Sequence, residues 1–336
     1  MNVGESSETL LIQRIRDRAG ATAPGITLGI GDDAAVVEPV RGRSDVITTD
    51  TLVEGVHFKR EWSAARAIGR KAVLVSLSDL SAMGAAPRTV LLSLCLPASL
   101  LLDDFDALID GVIVETHAAG AALVGGNISA SPGPLVVTVT ATGSVHPRRV
   151  LRRDGGSPGH SLYVTGKIGG ASAGLDVLAS GADRRTLAAG PAACVERYEV
   201  PPQLVAFGRM VAGYRAASAC MDLSDGLADA VRQVAAASKT GASIEGSSVP
   251  IDEGAATVWE ATGADPLIRA IAGGEDYELL FAVPPKRRRS FFAAATKAGG
   301  IRVTRIGELT TGSACVISQG EDVRPIPDGF KHFAAK

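Results

Sequence analysis

Two acidic clusters near the start of the chain constrain its fold more than any other feature. Asp32 and Asp33 follow a Gly-Ile-Gly sequence, Asp50 ends a Thr-Thr-Asp sequence, and each cluster adjoins an apolar run. Adjacent carboxylates repel more strongly as water is removed, so they need either solvent or a compensating cation. By itself the segment fits two interpretations equally well: solvated turns and helix caps, or ligands of a cation.

The length and composition indicate a globular chain with two domains. It has 336 residues, of which 46% are hydrophobic and 21% charged, enough for large cores. A net charge of −2 without a long basic stripe argues against nucleic acid as a partner. The short basic run at 286–289 fits the solvated start of a helix better than a binding patch.

Cysteine use and hydropathy favour a cytoplasmic location. The four cysteines lie far apart without Cys-x-x-Cys spacing, so neither a zinc site nor a disulfide framework is expected. Residues 1–20 indicate a charged helix rather than a signal peptide. The most apolar stretches are too short to span a bilayer, so we expect no membrane partner.

Strand and helix patterns are mixed in both halves, which predicts an α/β fold with α+β layers. Ser63 is expected to cap a helix that ends near Met83. A long helix is expected over 101–123, broken by Gly125-Gly126-Asn127. The segment 148–159 is rich in Arg, Gly and Pro, so we place the domain change there, giving domains 1–147 and 148–336.

Further oxygen-rich sites recur along the chain. Asp79 lies on an otherwise apolar helix, where a lone buried carboxylate would cost several kcal/mol, so it must be exposed, paired or bound to a metal. The sequence Asp222-Leu-Ser-Asp-Gly226 could cap a helix, but two acids and a hydroxyl exceed what capping needs and suit Mg²⁺. Residues 273–276 and 125–127 are glycine pairs followed by polar side chains, equally consistent with hairpin turns or ligand contacts.

Common nucleotide-binding motifs are missing from the sequence. Gly166-Lys167-Ile-Gly-Gly170 is neither a Gly-x-Gly-x-x-Gly fingerprint nor a P-loop. The remaining pattern suits several hard cations that clamp phosphates between two domains.

Five motifs together resemble the thiamine-monophosphate kinase family. They are GIGDDAA, TTDTLVEGVHF, SDLSAMGA, MDLSDGL and GGEDYEL, and the resemblance runs in order from near residue 5 to the C-terminus. It implies the fold of aminoimidazole ribonucleotide synthetase, shared with selenophosphate synthetase and a hydrogenase maturation protein. It also implies a homodimer whose N-terminal sheets form a barrel, with ATP between barrel and C-terminal domain. The implied reaction is ATP-dependent phosphorylation of thiamine monophosphate to thiamine diphosphate.

The resemblance also implies roles for individual residues. Mg²⁺ ions would be bound by Asp33, Thr48, Thr49, Asp50, Asp79, Asn127, Asp222 and Asp225. ATP would contact Gly126, Asn127, Arg153 and Ser224. Thiamine monophosphate would contact His57, Glu275 and Phe330, while Asp32 is expected in a turn or behind the ligands.

Two positions depart from the family pattern. Asn127 stands where the family usually has Asp, so it keeps an oxygen ligand but loses a charge. Phe330 stands where Tyr or Trp is common, so it can stack on the thiamine ring but cannot donate a hydrogen bond.

The expected mechanism is direct in-line phosphoryl transfer without a general base, because the acceptor phosphate is already ionised, its second pKa being about 6. Two alternatives stay open. One is another ATP-dependent enzyme of the superfamily, although residues 1–31 lack the Cys or Lys of selenophosphate synthetase and the chain does not end in Cys like the hydrogenase maturation protein. The other is a non-catalytic protein that binds nucleotide or divalent cation, for which Asn127 is the support.

Overall fold

The computed structural model describes residues 1–20 and 24–329 and divides into two compact units. Unit 1 comprises Met1–Leu80 with Ala85–Pro147, and unit 2 comprises Ser81–Gly84 with the chain from Arg148 onward. Both units mix strands and helices, which confirms the α/β character expected from the sequence. In the described ranges, no helix combines the length and apolarity needed to cross a bilayer.

Unit 1 is built on a four-stranded sheet in the order β3-β6-β4-β5, in which only β4 and β5 run parallel. A separate antiparallel pair, β1 and β2, precedes it. The elements are α1 (Glu8–Ala19), β1 (Ile26–Leu28), β2 (Val36–Val37), β3 (Ser44–Val53), α2 (Ala65–Ala82), β4 (Ala86–Pro97), α3 (Leu102–Ala118), β5 (Ala122–Ser131) and β6 (Val136–Val145).

The sheet of unit 1 has one covered face and one outer face. Along β3 the side chains alternate in exposure, so Thr48 and Asp50 lie on the side that faces α2 while Ile47 and Thr49 lie on the outer side. Side chains on a strand project to opposite faces in turn, which fixes this division once one residue is placed. Leu92 of β4 is buried on the covered side.

Glycines allow the helices α2 and α3 to approach closely. A Cβ at Gly69 would collide with the carbonyl group of Leu108, and a Cβ at Gly111 would collide with that of Arg66. Arg70 and Glu115 then form an ion pair of 2.6 Å between the two helices.

Three local predictions for unit 1 are wrong. The Ser63 hydroxyl is buried and caps nothing, since it has no hydrogen-bond partner. Helix α3 ends at Ala118, and Leu123 belongs to β5. Gly125-Gly126-Asn127 is therefore not a helix break but the middle of β5, where its backbone pairs with β4.

Unit 2 contains a seven-stranded sheet in the order β13-β12-β9-β11-β7-β10-β8, antiparallel except between β12 and β9. Its elements are β7 (Ser161–Thr165), α4 (Gly170–Ala179), α5 (Ala189–Glu199), α6 (Val205–Tyr214), β8 (Ala219–Asp222), α7 (Leu227–Ser238), β9 (Gly241–Glu245), α8 (Glu253–Glu260), α9 (Pro266–Ala272), β10 (Leu279–Val283), α10 (Arg288–Lys297), β11 (Val303–Thr310), β12 (Cys315–Gln319) and β13 (Asp322–Pro325).

The central strands of unit 2 are buried on both faces. Leu162 and Val164 of β7 pack into one core with α7, while Tyr163 between them packs into a second core with α6 and α10. Leu280 and Phe281 of β10 divide in the same way. Such continuous burial explains why these strands are nearly uniformly apolar.

Candidate functional site

Three of the predicted metal ligands of unit 1 meet where β3 faces α2. Asp79 of α2 accepts a hydrogen bond from the Thr48 hydroxyl, and Asp50 accepts one of 2.8 Å from the Ser76 hydroxyl. Ser76 and Asp79 are one helical turn apart, so both reach the same face of the sheet. The result is a compact group of two carboxylates and two hydroxyls, which we call the β3–α2 cluster (Thr48, Asp50, Ser76 and Asp79).

The environment of the β3–α2 cluster shifts the pKa of Asp50. Burial and, after it, the charge of Asp79 raise the pKa of Asp50 to about 6, against the opposing hydrogen bond from Ser76. A carboxylate that is both buried and next to a like charge favours either a proton or a cation. The chemistry of this oxygen set therefore fits a hard divalent ion such as Mg²⁺.

Other predicted ligands of unit 1 lie around a cavity over the outer face of its sheet. The cavity, of about 1040 Å³, is lined by Asp33, Gly126 and Asn127, with Asp32 and Thr140 nearby on its wall. The Thr49 hydroxyl is 3.0 Å from that of Thr140 on this same outer face. Thr49 is thus separated from its neighbours Thr48 and Asp50, whose side chains point the other way.

Local backbone geometry explains two residues of the cavity wall. A Cβ at Gly126 would collide with the backbone carbonyl of Leu92, so only glycine allows β5 to approach β4 here. The Asp32 carboxylate accepts the backbone N–H of Asp33 at 2.8 Å, which is turn chemistry.

His57 lies in the turn that follows β3. Its Nδ1 accepts a hydrogen bond of 3.1 Å from the backbone N–H of Val53. In the neutral imidazole this contact places the proton on Nε2, a donor of the kind that an anion such as phosphate accepts.

In unit 2, two loops bring the remaining predicted residues together. The backbone N–H of Glu275 donates to the carbonyl of Ser224 at 2.7 Å, and that of Tyr277 donates to Leu223 at 3.2 Å. A Cβ at Gly226, where φ is +94°, would collide with the carbonyl of Gly273. These interlocked loops, 222–226 and 273–278, place Asp222, Ser224, Asp225 and Glu275 in one neighbourhood at the end of β8.

A buried acid anchors the second of the interlocked loops. Asp276 is 1% exposed and accepts the backbone N–H groups of Gly169 and Ala171 at 2.7 and 3.2 Å. Burial raises the pKa of Asp276 to about 7, while the hydrogen bond from Gly169 and the charge of Arg197 oppose the rise. Its neighbours Glu275 and Tyr277 take left-handed conformations, with φ of +68° and +49°. The side chains therefore alternate in burial: Asp276 is buried, and Glu275 and Tyr277 on either side of it are only partly buried.

An ion pair with a buried carboxylate also anchors this loop. Glu278 is 3% exposed, pairs with Arg197 and accepts the hydroxyl of Thr165. Burial raises the pKa of Glu278, against the opposing effects of Arg197 and Thr165. Removing one partner of such a pair would leave an uncompensated buried charge.

Arg153 and Phe330 are the two remaining predicted ligand contacts. Arg153 donates to Gln233 of α7 at 2.5 Å. Phe330 lies outside the described residues. The preceding Gly329 packs against Asp225 and Asp229, where a Cβ would come within 3.0 Å of the Asp225 carbonyl oxygen.

Metal binding at these clusters would need ligands beyond acidic side chains. Over the described ranges, no three carboxylate, histidine or cysteine side chains converge as a metal centre. Cations at Asp50 and Asp79, or at Asp222 and Asp225, would therefore take further oxygens from hydroxyls, water or a bound phosphate, as Mg²⁺ commonly does.

Sequence reasoning missed the residues that support the clusters. Ser76 stands three positions before Asp79, a spacing that places both on one helix face, so the signal was present. Asp276 and Glu278 were visible as acids beside the glycine pair, but their burial depends on contacts with α4 and α5 that no local pattern shows.

Comparison with known proteins identifies the family. The model for AIR synthase related protein, N-terminal domain, matches residues 31–145, and that for the C-terminal domain matches residues 157–318. The thiamine-monophosphate kinase of Escherichia coli K12 is 35% identical over 340 aligned positions, covering 99% of both chains.

Two solved structures extend the likeness to three dimensions. The thiamine-monophosphate kinase of Stenotrophomonas maltophilia K279a is 35% identical, with a TM-score of 0.83 over 93% of this chain and 96% of that one. AaThiL complexed with AMPPCP and TMP is 30% identical, with a TM-score of 0.77 over 99% of both chains. The chain therefore belongs to the thiamine-monophosphate kinase family of enzymes, within the AIR synthase related proteins.

Proposed function

We propose that this chain transfers the terminal phosphoryl group of ATP to thiamine monophosphate, giving thiamine diphosphate and ADP. The observation that carries the proposal is the full-length likeness to AaThiL complexed with AMPPCP and TMP, at 30% identity over 99% of both chains. AMPPCP is an ATP analogue, so that complex pairs a phosphoryl donor analogue with TMP. Hard cations held by the oxygen-rich clusters of this chain would suit the same two anionic ligands.

Electrostatics sets the main problem of this reaction. Donor and acceptor both carry phosphate charges, which repel by about 4 kcal/mol per pair at 4 Å in a surface-like dielectric. When bound, Mg²⁺ would neutralise this charge and the charge that develops during transfer. We propose that Asp50 and Asp79 with Thr48, and separately Asp222 and Asp225, hold such ions.

The remaining predicted residues then have positioning roles in the proposal. In unit 1, Asp33, Thr49 and Asn127 would add oxygen ligands around the outer-face cavity, and Gly126 would admit ATP close to the backbone. In unit 2, Arg153 and Ser224 would contact ATP. His57 and Glu275, with Phe330, would orient thiamine monophosphate.

The transfer is proposed to be direct and in line. An ionised phosphate acceptor needs no base to remove a proton, since the second pKa of a phosphate monoester is about 6. Turnover of ATP made chiral at its γ-phosphorus should then give thiamine diphosphate with inverted configuration. Retention, or a phosphoprotein trapped from labelled ATP, would contradict a single in-line step.

The decisive assay measures thiamine diphosphate formed from ATP and thiamine monophosphate, with Mg²⁺ or with EDTA. We expect product only with Mg²⁺. Asp79→Asn should abolish turnover, whereas Asp45→Asn, on the exposed side of β3, should not. ATP binding without product would favour a non-catalytic binding protein, and ATP turnover with another acceptor would favour a different enzyme of the superfamily.

We also propose that the outer face of the unit 1 sheet forms a homodimer interface. On this face Ile47 is 70% exposed and Leu91 is 37% exposed. Exposed apolar side chains on one face are typical of a protein–protein interface. Light scattering after size-exclusion chromatography should show a dimer that Ile47→Glu converts to monomer. Val323→Glu, at a 60% exposed position in unit 2, is the matched control and should stay dimeric.

A further inference from the structure

Unit 2 contains a second polar cavity whose walls are strongly basic. The cavity has a volume of about 510 Å³, and no carboxylate lines it. Three separate segments contribute cations: the residues before β7, the end of α6 and the residues after β10. The five cationic side chains are Arg148, Arg149, Arg215, Lys286 and Arg287. We call this space the basic cavity.

The basic cavity is separate from the interlocked loops. Ser218, which lines it, immediately precedes β8, whereas Asp222 ends that strand. At about 3.3 Å per residue, four steps along β8 separate the two positions by about 13 Å. Strand β10 runs antiparallel to β8, with Ala282 opposite Ala219 and Leu279 opposite Asp222. The end of β10 is therefore level with the basic cavity, and its start is level with the interlocked loops.

Among the described residues, three cations of the basic cavity take part in no ion pair: Arg149, Arg215 and Lys286. Arg287 donates to the carbonyl of Ala217 at 3.3 Å, which keeps its guanidinium at the cavity wall. Like charges around one space repel each other, and an anionic ligand would relieve that repulsion.

A neutral donor also belongs to the cavity. His160 Nδ1 accepts the backbone N–H of Ser157 at 3.2 Å and lies 2.8 Å from the Ser218 hydroxyl, so the neutral ring carries its proton on Nε2. Burial lowers the pKa of His160, and the charges of Arg287 and Lys286 lower it further. The positive charge of the cavity thus lowers the pKa of His160, a wall residue that is not one of the five cationic side chains.

We propose that the basic cavity binds a small polyanion that carries two or more phosphate groups. Arginine suits phosphate because its planar guanidinium donates two parallel hydrogen bonds to the oxygens. One phosphate, with a charge of about −1.5 to −2, would leave at least half of the charge of Arg149, Arg215, Lys286 and Arg287 uncompensated. The volume lies within the range of about 300–1,000 Å³ typical of small-molecule sites and favours a di- or triphosphate over a macromolecule.

The test is calorimetric titration of the full-length protein with inorganic tripolyphosphate in low salt and EDTA. EDTA removes the divalent ions on which the proposed ATP site depends. We expect saturable binding that is at least tenfold weaker in the Arg149→Ser/Lys286→Ser double variant and also weaker in Arg215→Asn. Arg289→Ser is the matched control, since Arg289 is exposed in the same basic run but does not line the cavity; it should bind like the wild type.

Further arms distinguish the sources of the polyphosphate group. Comparable binding of pyrophosphate and ADP, both tighter than inorganic phosphate, would show that the diphosphate itself is recognised. Inorganic phosphate binding as tightly as tripolyphosphate would overturn the polyanion proposal. No saturation of the wild type by 1 mM tripolyphosphate (on the order of the weakest specific affinities), or equal affinity in the double variant, would overturn the site. Asp79→Asn should leave this binding intact, so the result does not depend on the kinase assay.

Discussion

Replacing Asp50 by Asn should stabilise the metal-free protein while lowering turnover by about 100-fold or more. The pKa of Asp50 rises from its ordinary 3.8 to about 6 because of burial and the Asp79 charge. At about 1.4 kcal/mol per pKa unit, ionised Asp50 costs the folded state about 3 kcal/mol. Asparagine has nearly the same shape without the charge, so it avoids this cost and can still accept the Ser76 hydrogen bond.

The sign of the effect gives it a characteristic pH dependence. Because the folded state raises the pKa, protonated Asp50 favours folding: its contribution is complete below pH 3.8 and is lost as pH rises to about 6. The advantage of Asp50→Asn in free energy of unfolding should therefore grow from near zero at pH 4 to about 3 kcal/mol at pH 8. Urea denaturation in EDTA at the two pH values measures this difference.

Magnesium should offset much of this advantage. A cation at one hundred times its Kd would stabilise the wild type by about 2.7 kcal/mol through mass action, and the variant by less. Turnover should fall by about 100-fold or more, as when other transition-state electrostatic contacts are removed. Asp45→Asn on the same strand controls for generic charge effects. A variant less stable than wild type at pH 8 without metal, or a difference independent of pH, would refute the reasoning.

Three further substitutions test other parts of the clusters. Asn127→Asp restores a charge beside the outer-face cavity and should lower the Mg²⁺ concentration for half-maximal activity severalfold; identical Mg²⁺ titrations would count against a ligand role. Gly126→Ala forces a methyl group against the Leu92 carbonyl and should lower the free energy of unfolding by about 1–3 kcal/mol. Arg197→Met strands the buried Glu278 carboxylate and should cost about 3–5 kcal/mol, seen as a lower Tm that Glu278→Gln partly restores.

Two matched variants separate these mechanisms from general damage. Gly133→Ala adds a methyl group where no atom lies within 4 Å, so its stability should match the wild type. Arg185→Met removes the surface partner of Asp183. The Arg185 side chain is 87% exposed, so its loss should change the free energy of unfolding little. If Gly133→Ala lost as much stability as Gly126→Ala, the assigned clash would be contradicted. If Arg185→Met lost as much as Arg197→Met, the role of the buried ion pair would be contradicted.

Asp79 could be recognised from sequence because a carboxylate within an apolar helix demands an explanation. The partner it meets could not be recognised in the same way. Whether Thr48 or Thr49 faces α2 depends on the pairing of β3 with β6, and a slip of one residue would exchange the two. The sequence therefore indicated that Thr48, Thr49 and Asp50 belong to an oxygen-rich site. It could not show that Thr49 lies on the opposite face of the sheet from Thr48 and Asp50.

The segment 120–127 shows a different limit. Its glycines are strong local signals for a break, and one does occur at Gly120, in the left-handed region beyond α3. Gly125 and Gly126 instead lie in β5, because the parallel partner β4 supplies the hydrogen bonds and demands close approach. That partner is distant in sequence, so local composition could not distinguish a glycine required by a turn from one required by a neighbouring strand.

The interlocked loops are joined through main-chain atoms, and this has an evolutionary consequence. The contact between them runs from the N–H of Glu275 to the carbonyl of Ser224, with glycines excluding any intervening Cβ. This hydrogen bond involves neither side chain. Under the ligand contacts proposed for Ser224 and Glu275, ligand preference at the end of β8 can therefore drift by substitution at these positions while the loop architecture is inherited unchanged, provided that residue 275 tolerates its left-handed backbone. This is one way that a single scaffold can come to serve different acceptors.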